Sequence, residues 1–137
     1  MKLIEYCFKS KNTGNKFIKE LTKELRTVHV NYFIKNRSFE ELKIFILTKL
    51  EKIISEYSIE CVVIENIDSY LYTEENLESK RSDINLIVKK LKNIINKYQT
   101  EAIVSTLYIK GYEIEGIFIN RYLGYKWCYL RNEFYLK

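Results

Sequence analysis

IECVVIENI, residues 59–67, decides the fold. Cys61 to Ile64 form an unbroken apolar run, and Ile67 follows after Glu65 and Asn66. A half-exposed strand would alternate apolar and polar residues. This one does not, so it predicts a strand buried on both faces, as in a parallel sheet covered by helices. EAIVSTLYI, 101–109, has the same character, and KLIEYCF, 2–8, supplies a first strand. Upstream, SFEE at 38–41 is a capping box, in which the serine hydroxyl and the glutamate satisfy orphan backbone donors at a helix start. The helix it opens runs to about residue 57, with Leu42, Phe45, Ile46, Leu50, Ile53 and Ile54 on one face. Downstream, DSYLYTEENLESKRS, 68–82, reads as a polar connection. A second long helix over roughly 82–98 puts Ile84, Ile87, Val88, Leu91, Ile94 and Ile95 on one side. Residues 16–26 carry Phe17, Ile18, Leu21 and Leu25 at helical spacing, and TVHVNYFI, 27–34, alternates like a strand. KGYEIEGIFI and YKWCYLRNEFYLK read as one or two hairpin-like strands on a sheet edge. The order β-α-β-α-β-α-β-β-β predicts an α/β fold with a mostly parallel central sheet and an antiparallel C-terminal edge.

The 137 residues make one domain, 1–137, and 47% hydrophobic content is enough for a core. No run of 18 uncharged apolar residues is present, so no membrane span is expected. MKLIEYCF reads as a strand and not as a signal peptide, and a cytoplasmic location is the expectation. Cys7, Cys61 and Cys128 lack the paired spacing of a zinc site and read as buried hydrophobes. His29 is the one histidine. That excludes a metal site built on several histidines and argues against a Ser-His-Asp triad. The net charge of +5 permits contact with nucleic acid or an acidic partner without demanding it.

SKNTGNKF, 10–17, lies between the first strand and a helix, where a nucleotide-binding protein holds phosphates. Against the pattern GxxxxGK[ST], Lys16 takes the lysine position, Ser10 and Asn15 take the glycine positions, and Phe17 takes the hydroxyl position. Gly14 can serve as a shifted glycine only by aligning Asn15 with the lysine. A working loop needs glycines so that backbone N–H groups can approach phosphate, and Phe17 cannot ligate Mg²⁺. The stretch reads as a worn phosphate loop.

In this order the motifs resemble a RecA-type core, of the RadA recombinase and KaiC-like group. SKNTGNKF stands at the phosphate-loop place, and CVVIENIDSYL is similar to the apolar strand that ends in Asp-Ser. ESKRSDINLIVKKLKNII looks like the Arg-containing helix, and EAIVSTLYI like the strand that ends in Thr-Asn-Gln. RYLGYKWCYLRNEFYLK looks like the closing Leu-Gly-x-x-Trp segment, carried by Leu123, Gly124 and Trp127. The resemblance spans nearly the full chain, although its early half is shorter than in active enzymes. It implies a three-layer RecA-like domain that assembles side by side with other RecA-like domains, through strand addition and shared interfaces.

The departures bear on catalysis. Glu65 stands where the family has Asp, with Asp68 just beyond, as a degenerate acidic strand end. VNYFIKN offers no catalytic glutamate, and Ser105-Thr106-Leu107 lacks the glutamine that senses the γ-phosphate. Phosphoryl transfer needs metal, lysine and a positioned water together. The expectation is a non-catalytic RecA/RadA paralog, an accessory or assembly subunit in DNA recombination and repair. Its partner would be a RecA-like protein or another copy of itself. No cofactor is expected, with ATP and Mg²⁺ at most weak ligands.

Two further readings come from the residues. Arg121, Tyr122, Tyr125, Lys126, Trp127, Tyr129 and Arg131 interleave cations with rings, and Lys89, Lys90 and Lys92 add charge. Single-stranded DNA could stack on the rings while its phosphates meet the cations. Glu65, Asp68 and Asp83 could together hold a metal in a nuclease-like site.

Overall fold

A computed structural model describes residues 1–137. Five strands form one sheet: β1 (Leu3–Phe8), β2 (Thr27–His29), β3 (Cys61–Ile64), β4 (Glu101–Leu107) and β7 (Glu133–Leu136), in the order β2-β3-β4-β1-β7. Every pairing in it is parallel. β5 (Gly111–Ile114) and β6 (Ile117–Asn120) form a separate antiparallel hairpin. The expected parallel sheet is present, but its C-terminal edge is not antiparallel. β7 runs parallel beside β1, and the antiparallel pair stands outside the sheet.

The helices are α1 (Lys11–Thr22), α2 (Phe39–Thr48), α3 (Leu50–Tyr57), α4 (Leu77–Tyr98) and the short α5 (Trp127–Leu130). They cover the sheet unequally. α2, α3, α4 and α5 pack on one face over Leu3, Val28, Val62, Ile64, Ala102 and Val104, in a cluster of 24 buried residues. On the other face Ile18 of α1 joins Phe8, Cys61, Val63 and Ile103 in a cluster of 5. A fully buried aliphatic side chain contributes about 1.5–3 kcal/mol, so the four-helix face carries most of the hydrophobic stabilisation. β3 is buried at all four positions, as its unbroken apolar run requires.

Several boundaries differ from the sequence reading, each for a local reason. The single helix over 38–57 is two helices that break at Lys49. The Thr48 hydroxyl donates to the Ile44 carbonyl at 2.6 Å, a back-bond that bends helices. Ser38 does cap α2, accepting from the Glu41 N–H at 3.2 Å. The Glu41 carboxylate reaches the Lys35 N–H at 3.0 Å and not that of Ser38. The strand over 27–34 stops at His29, and residues 30–33 are a 3-10 turn. There the Asn31 side chain takes over the pairing, accepting from the Glu65 N–H (2.7 Å) and donating to the Glu65 carbonyl (2.8 Å). The connection over 68–82 contains a 3-10 helix, Ile67–Leu71, and the first turn of α4, capped by Asn76. No helix is long and apolar enough to cross a membrane.

Candidate functional site

Open α/β sheets bind ligands at the carboxyl ends of their strands, where successive connections leave in opposite directions. Here that point lies between β1 and β4. The chain leaves β1 for the β2 edge and leaves β4 for the β7 edge. Ser10, Glu65, Asp68, Ser105 and Asn120 all gather around these strand ends.

The connection from β1 to α1 is only Lys9 and Ser10. Ser10 closes it by accepting from the Thr13 N–H at 3.2 Å, while its hydroxyl donates to Thr13 Oγ1 at 2.8 Å. The helix expected from residue 16 therefore begins at Lys11, and residues 11–17 of the expected loop are helical. Gly14 serves packing: a Cβ there would lie 2.6 Å from Phe8 Cδ2. Phe17 turns inward and tilts against Tyr6 and Phe8, with ring centroids 5.1 and 5.6 Å away. Lys16 is exposed on the second turn of α1. No backbone cradle wide enough for a phosphate chain remains in a two-residue turn.

Asn15 lies across the mouth of the crevice. With its amide oriented to satisfy both neighbours, it donates to Glu65 Oε2 at 2.7 Å and to the Lys11 carbonyl at 3.2 Å. The other carboxylate oxygen of Glu65 lies 3.8 Å from His29 Nδ1, which has no hydrogen-bond partner. Arg37 donates to the Glu65 carbonyl at 3.2 Å. The acid at the end of β3 is thus held by the protein's own side chains.

Asp68 is fully buried. Its Oδ2 accepts from Asn120 Nδ2 (3.0 Å) and the Tyr72 hydroxyl (2.9 Å), whereas Oδ1 lacks a partner of good geometry. Burial raises its pKa above the ordinary 3.8; Asn120, Tyr72 and the nearby Leu107 N–H pull the other way without prevailing. Asp83 is paired with Lys43 at 3.5 Å, away from Glu65 and Asp68. The three carboxylates of the nuclease-like reading are therefore not brought together, and no group of three metal-ligating residues is assembled. Ser105 accepts from the Asn66 N–H at 2.8 Å.

Glu5 is a residue that sequence reasoning missed. Fully buried in mid-β1, it accepts from Thr106 Oγ1 (2.5 Å), Trp127 Nε1 (2.7 Å) and the Arg131 guanidinium. This network fixes α5 against the sheet. It also puts Arg131, a candidate nucleic-acid contact, into a buried ion pair. Lys90 pairs with Glu51 at 3.5 Å, and Lys92 donates to the Leu130 carbonyl at 2.8 Å. Arg121, Tyr125, Lys126 and Lys89 are exposed. The lysine trio is accordingly spread over α4, with Lys90 on the α3 side and Lys92 on the α5 side. The chain matches no known family model and has no significant match among curated proteins.

Proposed function

We propose that the chain is a non-catalytic RecA/RadA-like paralog, an assembly subunit in DNA recombination and repair that docks on a RecA-like partner or on another copy of itself. The observation that carries this reading is a closed crevice beside an open sheet edge. At the crevice, the two-residue turn, the inward Phe17 and the Asn15–Glu65 contact stand where phosphates and metal would sit. Losing these groups together removes nearly all rate, because they act as a unit. At the edge, β2 pairs only with β3, so its outer backbone groups are free. A groove of about 780 Å³ lies alongside, lined by Val28, His29, Tyr32, Phe33, Ile53 and Tyr57. An added strand would pair with the free backbone while its alternate side chains entered the groove. The order of motifs along the chain supports the RecA-like assignment.

Two measurements test this reading. A titration with a fluorescent ATP analogue and Mg²⁺ is expected to show no saturable binding that depends on Lys16. Tight binding abolished in Lys16→Ala would overturn the closed-crevice reading. Light scattering of the chain, alone and mixed with a RadA-type recombinase, is expected to show self-association or a complex at micromolar concentration. Replacing Tyr32, the exposed ring in the groove wall, with Glu should weaken it. A strictly monomeric chain that ignores the recombinase would sink the assembly role.

A further inference from the structure

A second surface stands apart from both the crevice and the β2 edge. It lies between the N-terminal half of α4 and the segment 121–129. Arg81 of α4 reaches across and donates to the carbonyls of Tyr122 (3.1 Å) and Arg121. Its side chain closes on Gly124, which sits at φ +82°, where a Cβ would lie 3.0 Å from the guanidine stem. This clasp leaves a cavity of about 320 Å³ lined by Glu78, Arg81, Ser82, Asn85, Tyr125 and Lys126, among others. Arg81, Ser82, Asn85, Tyr125 and Lys126 bring side-chain donors to the cavity wall, and Glu78 is its one acid.

Two features turn this cavity into something more than a polar crevice. First, the cations around it are free. Arg121, Lys126 and Lys89 are exposed, and none is within ion-pair distance of a carboxylate. Lys89 lies one turn beyond Asn85 on the same face of α4. Second, Tyr125 and Tyr129 project from the same segment, 53% and 66% exposed. Their rings stand edge to face at 5.2 Å and 72°, and their hydroxyls bond each other. Exposed rings fixed by a neighbour, beside unpaired cations and side-chain donors, are what a flexible phosphodiester strand uses: bases stack on the rings and cations follow the backbone. A duplex would bury its bases away from the tyrosines.

We propose that the groove between α4 and the 121–129 segment binds a single strand of nucleic acid. Tyr125 and Tyr129 form the stacking platform, Arg121, Lys126 and Lys89 contact phosphate, and Arg81 positions the segment by clasping its carbonyls. The assignment stands whether or not the chain is RecA-like, since it uses neither the crevice nor the β2 edge.

The test is fluorescence anisotropy of the full chain with labelled dT and rU 20-mers and a DNA duplex of the same length, over a series of salt concentrations. Single strands are expected to bind better than duplex, and the dT-to-rU ratio identifies the natural strand. Tyr129→Ser should weaken binding about ten-fold, within the range for one lost stack, while Tyr129→Phe keeps the ring and the affinity. Lys126→Ala should lower the slope of log K against log salt by about 0.7, as for one phosphate contact on a single strand. The double change Arg121→Glu with Lys126→Glu should abolish binding. Lys11→Glu with Lys19→Glu, on the opposite face of the sheet, removes the same charge and should change little. The proposal is overturned by no binding at 50 mM salt, by equal loss in both double variants, or by a Tyr129→Ser protein that binds as well as the parent.

Discussion

Asp68 carries a carboxyl group with no exposed surface and one oxygen lacking a good partner, and this has a definite pH signature. Its folded pKa lies above the ordinary 3.8, raised by burial. The folded state then holds the proton more tightly than the unfolded chain, so this group's contribution to stability falls as pH rises from about 3.8 through the raised value. Asp68→Asn keeps the shape and can still accept from Tyr72. Urea unfolding across pH 3 to 8 is expected to show the variant gaining stability relative to the parent as pH rises; a pH-independent difference would contradict this. Asp68 was legible as an acid near a strand end, but not as a buried one. Glu5 was half legible. In KLIEYCF the period of two places it on the side of Leu3 and Cys7, which marks a carboxylate facing a core. Its partner Arg131 lies 126 positions away, and no local pattern connects them. Removing either member of that pair would leave a buried charge alone, at a cost of about 3–5 kcal/mol.

Among the elements, the hairpin β5–β6 was the best read part of the tail. Its turn is Glu115-Gly116, with φ of 51° and 81°. Both residues are left-handed, as a two-residue hairpin turn requires, and Asn is far better suited than Glu to the first position. Glu115→Asn is expected to raise stability by about 1 kcal/mol, the low end of the left-handed penalty that Asn eases, seen as a Tm increase of a few degrees; no increase would mean the turn conformation differs from that described. The strands β3 and β4 were legible because unbroken apolar runs have one common explanation. YKWCYLR was not, because a four-residue helix is too short to show a period of 3.6. Its alternating look comes from Trp127 facing Glu5 while Tyr125 and Tyr129 face out. The start of α1 at Lys11, five residues before the expected one, was hidden for a similar reason. A Ser followed by polar residues is as good a helix cap as a loop, and Gly14 was fitted to the Phe8 ring.

At the scale of the whole molecule, the two sheet faces protect their thiols alike. Cys7 and Cys61 are fully buried, on opposite sides of the sheet, and burial pushes each thiol up to about 12. Cys128 is only partly buried, with its thiol raised less. Brief alkylation at pH 8 followed by mass spectrometry is expected to label Cys128 slowly, and Cys7 and Cys61 only in denaturant; early labelling of Cys61 would show that α1 does not stay on its face. The parallel order was legible at this scale, but the position of the last strand was not, since nothing in EFYLK says which strand it joins. That position has a kinetic consequence. β1 is flanked by β4 and β7, so it is synthesised long before either of its neighbours. The Leu3 N–H is received by Asn132, 129 positions later. At ordinary synthesis rates that is a wait on the order of ten seconds, with both edges of an apolar strand unpaired. Such remote pairings also place the chain among slow-folding topologies. Nascent β1 is therefore the segment for a chaperone to hold, and the ribosome-bound chain should remain protease-sensitive until β7 has emerged.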